Sequence, residues 1–93
     1  MATTVYVQEL QALLDSVGEI EAGRLAIEEF QHRLYDAEHA ITLHEEKGLR
    51  QTLRNAENRL EEIRFTMRAK NIRPQALVVV AELKTLLNEL LEA

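Results

Sequence analysis

A seven-residue apolar repeat constrains this chain more than any other feature. Tyr6, Leu13, Ile20, Ile27, Leu34 and Ile41 stand seven apart, and from Ile20 onward a second set follows three residues later at Gly23, Phe30, Ala37 and His44. Alternating steps of three and four keep one stripe of a helix turned toward a partner helix. Before Ile20 the companion residues are Leu10 and Val17 instead, so the stripe shifts near Gly18. After a gap it resumes at Leu49, Leu53, Ala56, Leu60, Ile63 and Met67. The composition agrees: Ala, Glu, Lys, Leu and Arg make up 51 of the 93 residues. That is the make-up of long helices, not of sheets or of disorder.

These patterns predict an all-α fold. Its centre is a long antiparallel, coiled-coil-like helical hairpin, with a short helical piece before it and an amphipathic helix after it. Together these form one bundle spanning 1–93. The expected helices are 4–17, 19–45, 49–71 and 74–92. Ser16-x-x-Glu19 can cap the second, and Gly48, preceded by Lys47, suits the end of that helix and a reversal of the chain. Thr42-x-x-Glu45 is a competing cap that places the bend earlier. A single helix running unbroken from residue 19 to 70 is the alternative to a hairpin. Pro74 suits the first turn of the last helix.

Charge is segregated along the chain. Residues 1–46 carry −8, residues 47–73 carry +5 and residues 74–93 carry −2, for a net charge of −5. An acidic helix followed by a basic one is expected to pair side by side, which selects orientation more than it adds stability. There is no cysteine, so disulfides, zinc–thiolate sites and thiol catalysis are excluded. No basic residue precedes Arg24, unlike the charged start of a secretory signal. The most apolar stretch, 76–91, is broken by Glu82, Lys84 and Glu89. The expectation is therefore a cytoplasmic protein with no membrane insertion.

Four constellations bear on function. Glu29-x-x-His32 and Asp36-x-x-His39 have a spacing used by helical di-metal proteins. The repeat, however, places Glu29, His32, Asp36 and His39 on the outer face, where a solvated polar stripe is the plainer reading. The glutamate pairs Glu28-Glu29, Glu45-Glu46 and Glu61-Glu62 fall mostly on outer positions as well. No cofactor, nucleophile motif or phosphate loop is read, and no enzyme activity is expected. His44 is the one seam histidine, expected half-exposed beside the turn. Arg50, Arg54, Arg59, Arg64, Arg68, Lys70 and Arg73 make the third helix basic. They support nucleic-acid binding, or an antitoxin-like role, as the alternative function. Ion pairing of Arg50, Arg59 or Arg64 with the acidic helix is the structural counterpart.

The last helix carries the most apolar surface. Leu77, Val80, Leu83, Leu86, Leu87, Leu90 and Leu91 exceed a single stripe, and Leu83-x-x-Leu86-Leu87 has the form of a groove-binding leucine box. Phe65, Leu25 and Leu43, off the seam, add to it. The sequence therefore predicts a non-enzymatic protein–protein interaction module: an adaptor, an assembly or secretion chaperone, a structural subunit or an inhibitor. It is expected to act as a homodimer or higher oligomer through that helix, with a further protein partner.

Overall fold

The computed structural model describes residues 4–92. Four helices follow in order: α1 (Val7–Glu21), α2 (Ile27–Ala40), α3 (Lys47–Thr66) and α4 (Ala69–Glu92). One 3-10 turn, His44–Glu46, leads into α3. The helices form a ring in which each packs on its chain neighbours and α4 closes on α1. Cross-helix bonds fix the directions. Ser16 meets Arg33, Glu38 meets Arg54, Gln31 meets Arg64, and Arg59 meets Glu82. Across α2–α3 the two bonds run in opposite order, Gln31 with Arg64 and Glu38 with Arg54, and the short connections reverse the chain between successive helices, so neighbours run antiparallel. The result is an up-down-up-down bundle measuring 39 × 23 × 17 Å.

Its core is most of the repeat, joined by one face of α4. Leu10, Leu13, Val17 and Ile20 of α1, Phe30 and Leu34 of α2, Leu53 and Leu60 of α3, and Val80, Leu83 and Leu87 of α4 are all buried. Phe30 is the largest of the fully buried side chains. Small residues at Ala37, Ala56 and Ala76 let the helices approach closely.

The helix boundaries differ from those expected, each for a physical reason. Gly18 does not break α1; it lies inside the helix, where a Cβ would meet nothing within 4 Å. The buried series Leu10, Leu13, Val17, Ile20 runs past it with uninterrupted helical spacing, and packing overrides the weak propensity of one glycine. Ser16 is no cap either. Its hydroxyl donates to the Ala12 carbonyl at 3.0 Å and accepts from Arg33 Nη1 at 3.0 Å. The break comes at Gly23, where φ is +79°. The Gly23 N–H donates to the Ile20 carbonyl at 3.1 Å and the Arg24 N–H to Glu19 at 2.9 Å. This is a Schellman closure, the motif in which glycine takes the left-handed position.

The second helix is therefore shorter than 19–45, and the single-rod alternative does not hold. After Ala40 the chain turns extended at Ile41, with φ −88° and ψ 95°. The Tyr6 hydroxyl accepts the N–H groups of Thr42 (3.1 Å) and Leu43 (3.0 Å), and Arg50 Nη1 donates to the Ile41 carbonyl at 3.3 Å. The reversal thus occupies residues 41–46, just ahead of Gly48, which sits in the first turn of α3. Neither the 3-10 turn nor α3 has a side-chain cap, so Thr42-x-x-Glu45 is not used as one. At the far end, α3 stops at Thr66 and α4 starts at Ala69, five residues before Pro74. Pro74 lies within α4 on an exposed face, where the Lys70 carbonyl it cannot bond lies on an exposed turn. No glycine or proline stands at the break at 67–68, where Met67 turns extended while its N–H still donates to the Ile63 carbonyl at 3.1 Å.

Candidate functional site

The histidine–acid stripe lies along the outer face of α2. Glu29, His32, Asp36 and His39 are all exposed. His32 Nε2 is 3.5 Å from Asp36 Oδ2, an ordinary i,i+4 pair. His39 turns away, donating from Nδ1 to the Tyr35 carbonyl at 2.9 Å. The Tyr35 ring sits between the histidines, 6.4 Å from His32 and 4.0 Å from His39. Among the described residues, no group of three or more acidic or histidine side chains is placed to hold a metal ion. His44 is exposed at the start of the 3-10 turn, not half-buried on a seam.

The carboxylate the sequence reading overlooked is Glu38. It is 2% exposed, on the inner edge of α2, and accepts from Arg54 Nε at 2.7 Å. Glu57, one turn along α3 from Arg54, lies near Glu38. Burial, reinforced by the nearby Glu38 carboxylate, raises the Glu57 carboxyl above the ordinary glutamate range. The available signal was positional: Glu38 flanks the seam in the repeat, facing the basic helix.

Most arginines of the basic segment serve the fold. Arg64 donates to Gln31 at 2.9 Å and lies 3.7 Å from Glu28, which meets the expectation that it pairs with the acidic helix. Arg50 instead bonds a backbone carbonyl, and Arg59 turns to Glu82 of α4 at 2.6 Å. Arg73 Nη2 caps the end of α1 through the Ile20 carbonyl at 3.0 Å. Arg68 and Lys70, by contrast, are exposed and form no ion pair among the described residues. They follow Phe65, which is 73% exposed at the end of α3, and Met67, which is 39% exposed in the α3–α4 turn.

The leucines of α4 divide. Val80, Leu83 and Leu87 point into the chain's own core, while Leu77, Leu86, Leu90 and Leu91 are half-buried along the flanks. The outermost face carries Val78, Ala81, Thr85 and Glu89, so it presents no leucine stripe. Leu25 also joins the core, whereas Leu43 remains 44% exposed.

Clefts open between the helices, two of them larger than a third of about 200 Å³ between α3 and α4. One, of about 640 Å³, lies where α2 turns into α3 and includes Lys47, Arg50 and Arg54 with Glu38. The larger, of about 810 Å³, runs between α1 and α2. Leu13, Leu25 and Ala37 line its base, with Ala12, Ser16 and Ala40 beside them. Glu9, Asp15, Glu19, Glu29 and Asp36 form its rim, against only Arg24 and Arg33. Arg24 is already held by Glu19 at 3.0 Å, and Arg33 by Ser16. The rim is thus acidic over an apolar base, an arrangement that favours a cationic, partly apolar visitor. No helix among the described residues is long and apolar enough to cross a membrane. Comparison with known proteins gives no matching family model, no matching curated protein and no matching solved structure.

Proposed function

We propose that the chain is a small non-enzymatic helical protein–protein interaction module that acts as an oligomer. One observation carries the reading: after the four-helix core is closed, the molecule keeps two surfaces of opposite character. An acidic, apolar-based cleft lies between α1 and α2, and an exposed Phe65–Met67 pair lies at the α3–α4 turn with Arg68 and Lys70, which form no ion pair among the described residues. Large apolar side chains left outside a closed core, beside complementary charge, suit docking between proteins. The contact surface moves accordingly. Since Val80, Leu83 and Leu87 serve the chain's own core, α4 enters the proposal only through its half-buried flank leucines. The arginines proposed for nucleic acid are largely engaged within the fold, which favours the interaction reading over that alternative.

Sedimentation equilibrium over a wide range of concentration tests the proposal. The expected result is a mass that rises above the 10.7 kDa of one chain as concentration increases. A mass that stays at one chain at every concentration and salt overturns the oligomer reading.

A further inference from the structure

Phe65 has no place in its own core. It sits at the end of α3, 73% exposed, and the Arg64 guanidinium lies 5.4 Å from its ring centre. Met67 follows in extended conformation, and Arg68 and Lys70 lie just beyond. This end of the bundle is therefore an apolar projection beyond which the charges are positive, Arg68 and Lys70, while the exposed carboxylates of Glu61 and Glu62 lie one turn back on α3 and Arg64 is held by Glu28 and Gln31. The α1–α2 cleft has the opposite character: an apolar base and a rim of five carboxylates against two arginines. Phe65 belongs to α3, which contributes no residue to that cleft, whose lining comes from α1, α2 and the loop joining them.

We infer that the chain self-associates head to side, with the Phe65–Met67 end of one copy seated in the α1–α2 cleft of the next. The inference rests on the oligomer reading above and names the surfaces that make it. Phe65 supplies the aromatic anchor of the contact, entering over Leu13 and Leu25. Arg68 and Lys70 face Glu29 and Asp36 at the rim and set orientation and the rate of encounter. Because the two surfaces lie on different parts of the chain, the contact is heterologous. A pair joined this way still offers one free projection and one free cleft, so association continues into a ring or an open filament.

Sedimentation velocity on the full chain and on two exposed-site variants tests this. Phe65→Glu removes the projection and leaves the cleft. Glu29→Lys/Asp36→Lys reverses the rim and leaves the projection. Both alter exposed side chains, and far-UV circular dichroism verifies that each retains the helical fold. The expected result is that the unaltered chain grows past two copies with concentration and each variant stays monomeric. An equimolar mixture of the two variants then forms a one-to-one pair and nothing larger, and that pair dissociates at high salt. Should the unaltered chain assemble while both variants assemble equally well, the head-to-side contact is wrong and the oligomer reading survives. Two monomeric variants that fail to pair on mixing also overturn the contact. An unaltered chain that never associates overturns both.

Discussion

Two glycines five residues apart have opposite roles, and substitution separates them. Gly18 has helical geometry and open space where a Cβ would go, so Gly18→Ala is expected to stabilise by roughly 0.5–1 kcal/mol. Gly23 also has room, its nearest neighbour being Arg73 Nη2 at 3.9 Å, but its φ of +79° is strained for any L side chain. Gly23→Ala is expected to destabilise by about 1 kcal/mol, and urea denaturation of the pair checks the signs. The repeat placed Gly23 on the seam because period alone does not register a φ angle; the glycine itself was the legible sign of a helix end. Glu38 was less legible, since its burial depends on which helix lies beside it. Removing its partner through Arg54→Ala is expected to cost about 2 kcal/mol, below the cost of breaking a fully buried pair because Arg54 is half in water. Glu57 gives a pH signature. Its raised carboxyl binds a proton more tightly in the folded chain than in the unfolded one. Its contribution is therefore complete below the ordinary glutamate range and is lost as pH rises through the raised value. Glu57→Gln is expected to be more stable than the unaltered chain at neutral pH, with the gap closing on acidification. A pH series of urea melts showing a constant gap would refute this.

At the scale of the helix, the apolar period located the stripes well and the ends poorly. Leu10, Leu13, Val17, Ile20, Phe30, Leu34, Leu53 and Leu60 are seam residues in the sequence and core residues in the fold. The ends are set by bonds that arrive from elsewhere in the chain. The Tyr6 hydroxyl collects the N–H groups of Thr42 and Leu43, and Arg73 collects the last carbonyls of α1, across 36 and 53 positions of sequence respectively. No local pattern near residue 42 or residue 20 announces either bond. Long-range fastening also gives α4 its main role. Leu87 is fully buried, so Leu87→Ala is expected to destabilise by roughly 2–5 kcal/mol. The loss should be the same at low and high protein concentration, because the residue fills its own chain's core. A loss that shrinks as the protein is diluted would instead place Leu87 between copies.

For the molecule as a whole, the decisive feature is closure of the ring. The charge pattern along the sequence anticipated one of its sides, the pairing of α2 with α3 through Arg54–Glu38 and Arg64–Glu28. It did not anticipate that α4 would reach α1, which a hairpin with a free tail would not require. Lys84–Glu21 and the Arg73 cap tie the first helix to the last, and Val17, Ile20, Val80 and Leu83 belong to one continuous core. The cleft beside that core was illegible for the same reason: its base and rim come from two helices whose juxtaposition only the bundle defines. In a closed ring, no helix can leave without exposing part of the shared core, so local opening of α1 or α4 costs nearly as much as unfolding the chain. Short domains with one such core unfold in a single step. Unfolding in urea is therefore expected to give coincident transitions by far-UV circular dichroism, which weighs all four helices, and by tyrosine fluorescence. The latter reports on Tyr6 at the α1–turn junction and Tyr35 on α2. Peripheral docking of α4 would instead release helix signal at lower urea while the tyrosine signal held. Separate midpoints of that kind would mean that α4 does not close the core.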